Sequence, residues 1–108
     1  LEGGINHLLR PAITDQPFPA RLVRASRGER QTFQVHGPLC TGMDQLGRFV
    51  LPGDVAVGDW LQFGQCGAYG FTESMPFFLC HQIAAEVVVE GGELTVIRAA
   101  EPATWYMR

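Results

Sequence analysis

Apolar and polar residues alternate along Gln31-Thr32-Phe33-Gln34-Val35-His36, a period of two that predicts a half-buried strand. The run before it, Pro19 to Ala25, is separated from it by Ser26-Arg27-Gly28-Glu29-Arg30, so the two runs are expected to pair as a hairpin. Leu46 to Leu51 reads as a further strand, closed by Pro52-Gly53-Asp54. Val57-Gly58-Asp59 marks another turn, and Trp60-Leu61-Gln62-Phe63 follows it as a strand running to Gly64. Ala84 to Val89 and Leu94 to Ala99 flank Glu90-Gly91-Gly92-Glu93, the pattern of a tight two-stranded hairpin with Gly-Gly at its tip. Ahead of this hairpin, Phe71 to His81 shows no strict alternation and has room for a short helical turn. Gly and Pro interrupt nearly every window long enough for a helix. The predicted fold is therefore mainly β, a small barrel or sandwich occupying residues 1–108 as one domain.

Composition narrows the function more than the fold. At 108 residues, 46% hydrophobic and 18% charged, the chain can build one packed core and not two. Its net charge is −3, and it contains no Lys at all, so every strong positive charge is an Arg. No basic stripe of the kind that grips nucleic acid is present. No apolar run approaches the ~18 residues that span a bilayer, and no signal-peptide pattern occurs. The three cysteines, Cys40, Cys66 and Cys80, are odd in number, widely spaced and free of any C-x-x-C pair, which favours a reducing, cytoplasmic setting. His7, His36 and His81 add further donors, yet no two ligands fall at the short spacings by which one loop feeds a zinc ion, so no metal site is predicted. Serine-hydrolase and phosphate-loop patterns are also missing.

The chemistry concentrates at two turns. Gly37-Pro38-Leu39-Cys40-Thr41-Gly42-Met43-Asp44 ends the predicted strand and presents a thiol in a shaped loop. A free Cys is most often a small buried hydrophobe, so the loop context is what favours a functional role. Gly67-Ala68-Tyr69 places an aromatic ring behind two small residues, where backbone can approach a ligand closely. Together with Gly3-Gly4-Ile5-Asn6-His7-Leu8-Leu9-Arg10-Pro11-Ala12, these segments resemble the C-terminal β-domain of the fold-type III pyridoxal-phosphate decarboxylases, which act on diaminopimelate, ornithine or arginine. The matching family motifs are Gly-Gly-Met-x-x-x-x-Arg-Pro-Ala, Gly-Pro-x-Cys and Gly-Ala-Tyr, in the same order.

The resemblance implies a role for each matching residue. Cys40 would cross the interface of a homodimer and protonate, in the partner's active site, the carbon that CO2 leaves. A thiol suits this because its pKa can be tuned toward neutrality. Tyr69, with Gly67 and Ala68, would pack near pyridoxal phosphate. Arg10 would grip the distal carboxylate of the substrate through its planar bidentate donors. Asp44 would order the Cys40 loop. The family holds its cofactor as a Schiff base on lysine, so with no Lys in this chain the anchoring residue would lie on a (β/α)8 barrel domain absent from it.

The departures bear on specificity. Thr41 stands where diaminopimelate decarboxylases have Glu and ornithine decarboxylases Asp, a carboxylate that normally partners a distal ammonium. Thr14 stands where diaminopimelate decarboxylases carry Tyr, and Gly3 where ornithine decarboxylases carry Asp. Phe77-Phe78-Leu79 and Gln82-Ile83 replace the family's Asn and Arg-Pro, which predicts a more apolar, reshaped pocket. Thr41 and Thr14 are thus expected to line the substrate site, the substrate being a diaminopimelate-, ornithine- or lysine-like amino acid or a modified, carrier-bound one. The reading from a different class is a non-catalytic β-module that binds a ligand or partner.

Overall fold

The computed structural model describes residues 1–107. Its strands form three two-stranded antiparallel ladders rather than a closed barrel. Strand β1 (Ala20–Leu22) pairs with β4 (Leu61–Phe63), β2 (Arg30–His36) with β3 (Gln45–Pro52), and β5 (Glu86–Glu90) with β6 (Glu93–Arg98). Two short α-helical segments, α1 (Arg10–Thr14) and α2 (Tyr69–Thr72), flank them, and single 3-10 turns occupy Phe78–Cys80 and Ala103–Met107. The predicted β5–β6 hairpin is present. Gly91 and Gly92 both take left-handed φ, +57° and +85°, which a two-residue turn of this hand requires.

The expected hairpin between Pro19–Ala25 and Gln31–His36 does not form. Arg24 explains the difference: its guanidinium donates to Asp59 at 2.7 and 2.8 Å and to the Asp54 carbonyl at 2.8 Å. These bonds draw the end of β1 toward the turn before β4, and the Val23 N–H then reaches the Trp60 carbonyl at 2.9 Å. The link after β1 is held open as well, because the Ser26 hydroxyl bonds Asp54 and the Gly53 N–H meets the Glu29 carbonyl at 2.7 Å. Strand β2 is left to pair with β3 through the Gly37–Asp44 loop.

The core lies on one face of the β2–β3 ladder. Leu8, Val35, Leu46, Phe49 and Leu51 form the buried cluster, with Phe18, Phe33, Leu61 and Phe63 packed against it. Phe49 and Phe63 meet edge-to-face, with centroids 5.7 Å apart. A register shift between Val35 and His36, opposite Gly47, lets Leu46 and Phe49 both point inward although they are three residues apart. Gly47 takes φ +123° there, and Pro17 crowds the space a side chain would need.

Asp44 ties this sheet to the N-terminal segment. It is 2% exposed. One carboxylate oxygen accepts the Ile5 N–H and the other the Leu39 N–H, each at 2.8 Å. Gly4 and Gly37 press against the same carboxylate so closely that a Cβ on either would collide with it. Beyond Ile5 the segment turns, with the His7 and Leu8 N–H groups donating to the Gly4 carbonyl at 2.9 Å. It then meets the second half of the chain: the Met75 N–H donates to the Ile5 carbonyl at 3.3 Å, and the Leu9 N–H to the Ser74 hydroxyl at 3.0 Å.

His7 links the same segment to the chain ahead of β5. Its Nε2 lies 3.2 Å from the Gln82 carbonyl and 3.4 Å from the Ala84 N–H, so the tautomer selects between donating to one and accepting from the other. Burial lowers its pKa below the ordinary value, an effect only partly offset by the Gln82 bond and reinforced by the nearby charges of Arg98 and His81.

Two predictions follow from these contacts. Asp44→Ala strands two buried N–H groups and should cost about 3 kcal/mol in chemical denaturation, with Gly37→Ala also destabilising by displacing the carboxylate; a loss under about 1 kcal/mol for Asp44→Ala would contradict this role. For His7, whose folded pKa is depressed, stability is complete above the unfolded pKa of about 6.5 and falls as the pH drops from there through the folded value, because the unfolded chain takes the proton first. The denaturation midpoint should therefore be lower at about pH 5.5 than at about pH 7.5, and His7→Gln should flatten that difference.

Candidate functional site

The Cys40 loop is rigid in its backbone and open at its thiol. Leu39 is buried and bonded to Asp44, which fixes the residue immediately before the cysteine. The Gly37 N–H meets the Asp44 carbonyl at 3.1 Å and the Asp44 N–H meets the Thr41 carbonyl at 3.1 Å, closing the loop on itself. Cys40, between these anchors, is exposed and unpaired with any other cysteine. Thr41 turns its hydroxyl back to accept the Met43 N–H at 3.3 Å, so the residue expected at the substrate is engaged within its own loop. Gly42 lacks a left-handed φ and has open space about it, so its flexibility is not what shapes the loop.

The second turn is built around Gly67, whose φ of +63° allows the chain to reverse into α2. Ala68 begins that helix, and its carbonyl accepts the Thr72 hydroxyl at 3.1 Å. Gly70 is buried against Cys66 and Leu8, and a Cβ there would approach the Cys66 Cβ to 2.9 Å. With Gly70 facing in, its neighbour Tyr69 faces out and is 70% exposed. Cys66 is the packed thiol of the set; burial raises its pKa, which disfavours the thiolate.

Arg10 opens α1 and is brought to the α2 side of the site. Its Nε and Nη2 donate to the two carboxylate oxygens of Glu73 at 2.9 and 3.1 Å, a bidentate pair on the surface. Thr14, expected at the substrate, donates its hydroxyl to the Arg10 carbonyl at 2.8 Å within α1. The structure thus joins Arg10 to the end of α2 through Glu73 and joins the Cys40 loop to the N-terminal segment through Asp44. Phe77 stacks on Trp105 with centroids 6.0 Å apart and packs on Tyr106, while Ile83 is buried and bridges to Glu101. These substitutions therefore build an aromatic patch and a backbone link at the end of the chain. Glu73 and Ser74 were not singled out from the sequence. The acidic residue four positions after Tyr69 carried no motif, and only the fold brings it to Arg10.

No group of three or more His, Cys, Asp or Glu side chains is placed to hold a metal ion, and no helix is long and apolar enough to cross a membrane, among the described residues. For pyridoxal phosphate, an exposed phenol ring behind a small, open turn fits an aromatic cofactor's face, whereas a side-chain amine to anchor it is lacking in a chain without Lys.

Known proteins agree with this geometry. Residues 1–67 match the family described as "Pyridoxal-dependent decarboxylase, C-terminal sheet domain". The chain is 33% identical over 103 residues to the diaminopimelate decarboxylase of Vibrio cholerae, covering 94% of this chain and 24% of that protein. It is 31% identical over 106 residues to the L-glutamyl-[BtrI acyl-carrier protein] decarboxylase of Niallia circulans, covering 91% of this chain and 25% of that one. Among solved structures, the diaminopimelate decarboxylase of Helicobacter pylori complexed with L-lysine superposes with a TM-score of 0.84 at 25% identity, over 98% of this chain and 26% of that one. The chain spans about a quarter of the length of these relatives. With its order of turns, its mainly β architecture and its matched motifs in accord, the chain belongs to the pyridoxal-dependent decarboxylases, as their C-terminal sheet domain.

Proposed function

We propose that this domain completes the active sites of a homodimeric pyridoxal-phosphate-dependent amino-acid decarboxylase, with Cys40 supplied across the dimer interface. The observation that carries the reading is an exposed thiol on a loop whose backbone is locked by a buried carboxylate, in a member of this family. A proton donor needs that combination: access to the substrate, and a fixed position from which to deliver the proton.

Bound pyridoxal phosphate supplies the electron sink for loss of the α-carboxylate. Cys40 holds the proton that replaces the departing carboxylate on the same carbon. Tyr69 lays its ring against the cofactor, and Gly67 and Ala68 keep the turn thin enough for that approach. Arg10 orients the far end of the substrate, with Thr41 and Thr14 as neighbouring hydroxyls whose free lone pairs can accept from it. The substrate is an amino acid of the diaminopimelate, ornithine or lysine type or a modified, carrier-bound one. Relatives acting on diaminopimelate and on a glutamyl carrier protein support that range.

The cofactor's lysine lies on the (β/α)8 barrel domain that accompanies this one. An uncovered apolar face supports such a partner. Val87 opposes Val96 and Val89 opposes Leu94 on one side of the β5–β6 hairpin, and all four are exposed. The radius of gyration, 14.8 Å, exceeds the roughly 13 Å of a compact chain of this length, as expected of a domain shaped to pack on something else.

In the complete enzyme, Cys40→Ala should lower kcat by about 10² to 10⁴ with little change in KM, since protonation follows binding. Steady-state kinetics with product analysis would test this, and an unchanged rate would make Cys40 a structural thiol. The 108-residue chain alone, mixed with pyridoxal phosphate and reduced with borohydride, should carry no adduct on a side chain in peptide mapping, because it has no Lys to form an imine and only an N-terminal α-amine can react. A side-chain adduct would overturn the placement of the anchoring residue elsewhere.

A further inference from the structure

We propose that Glu73 sets the charge preference at the far end of the substrate, by pairing with Arg10 so that the two present one net-neutral clamp. The proposal rests on the decarboxylase reading of Arg10 given above. Glu73 takes the Nε–Nη2 edge of the guanidinium through both carboxylate oxygens, at 2.9 and 3.1 Å. The Nη1 group is left with its donors free of that contact, and each carboxylate oxygen keeps a lone pair. Both side chains remain open to a ligand, Arg10 at 45% and Glu73 at 31% exposure.

The pair does not depend on two long side chains meeting by chance. The Leu9 N–H donates to the Ser74 hydroxyl at 3.0 Å, and that hydroxyl donates to the Gly70 carbonyl at 2.6 Å. The residues directly before Arg10 and directly after Glu73 are thereby pinned to each other. The Glu73 N–H closes α2 by donating to the Tyr69 carbonyl at 3.1 Å, so the carboxylate sits one helical turn from the ring assigned to the cofactor. This ordering removes much of the entropic cost that makes surface ion pairs weak.

The chemical consequence concerns sign. A lone Arg10 would favour a far carboxylate, but Glu73 at its edge offsets part of that attraction by repelling the anion. A far ammonium meets the reverse conflict. A group that carries both an acceptor and a donor and no net charge finds a partner for each, the acceptor on the free guanidinium edge and the donor on Glu73. Glu73 also supplies, from the same flank as Arg10, a carboxylate of the kind that Thr41 does not provide. The shared chemistry is a net-neutral dipolar end, which an amide and an amino-carboxylate zwitterion both offer.

The test uses the complete enzyme and four substrates: the six-carbon 2-aminoadipate, its 6-amide and lysine, and the seven-carbon diaminopimelate. Wild type should show higher kcat/KM for the amide or for diaminopimelate than for 2-aminoadipate or lysine, and whichever leads identifies the source of the dipolar end. Glu73→Gln, which keeps the shape and removes the charge, should raise the ratio of 2-aminoadipate to the amide about tenfold. Calorimetric binding of adipate and adipamate, which cannot react, to the cofactor-free enzyme should shift the same way. A ratio unmoved by Glu73→Gln overturns the assignment. Arg10→Ala separates the two levels of failure. If it weakens far-end discrimination while Glu73→Gln does nothing, only Glu73 is misassigned; if both are silent, Arg10 does not touch the substrate and its role in the proposed function falls with it.

Discussion

Two backbone N–H groups from distant parts of the chain, those of Ile5 and Leu39, converge on the single buried carboxylate of Asp44. A buried carboxylate is tolerable only when such donors satisfy it, and the donors in turn have no other acceptor once the loop has folded. The two partners are mutually dependent, so the N-terminal turn and the Cys40 loop are fixed together or not at all. Gly4 and Gly37 are what let the backbones come close enough, since a side chain on either would occupy the carboxylate's place. From Ile5 the same turn passes its carbonyl to Met75, and Leu9 its N–H to Ser74, so the order imposed by Asp44 continues to α2. One short segment therefore stands between the two loops that carry Cys40 and Tyr69. Its geometry sets the position of both.

The strands were legible where local chemistry decides them. Gly91-Gly92 can only be a turn of left-handed residues, and the Val-rich runs on either side follow as β5 and β6. Alternation likewise marked β2, and the apolar spacing of β3 marked its extent. Pairing was not legible, because nothing in the run Pro19 to Ala25 states its partner. Arg24 is an ordinary polar residue in the sequence, yet its bonds to Asp54 and Asp59 turn β1 away from its neighbour and toward β4. The contest was between a short connection and a specific side-chain network, and the network prevailed because the intervening five residues make no tight turn.

The candidate site was legible as motif and illegible as electrostatics. Cys40 lies exposed in the loop its Gly-Pro and Asp44 define, and Tyr69 emerges from the turn that Gly67 permits, as their local sequence predicts. Thr14 and Thr41 illustrate the limit: a hydroxyl bonds whatever lies nearest, which here is the Arg10 carbonyl for one and the Met43 N–H for the other. Arg10 could be named from Arg-Pro-Ala, but its partner could not. Glu73 lies 63 residues away in the chain, and ion pairs of that separation have no signature in the sequence.

Rigid backbone beneath exposed side chains is the combination this domain maintains throughout. The loops that carry Cys40 and Tyr69 are closed by their own hydrogen bonds, while the thiol and the phenol remain uncovered. A functional group that is ordered before its ligand arrives spends little entropy on binding, and one that stays exposed can be covered by another polypeptide without rearranging. The β5–β6 hairpin carries the same logic into packing. Its strands are joined in an antiparallel ladder, yet Val87, Val89, Leu94 and Val96 on one face remain exposed. An isolated two-stranded ribbon gains little from such a face in water. The apolar residues are the kind of exposed face that the proposed barrel domain would cover. The Cys40 loop and the β5–β6 hairpin thus share one design, a hydrogen-bonded frame that leaves its side chains open.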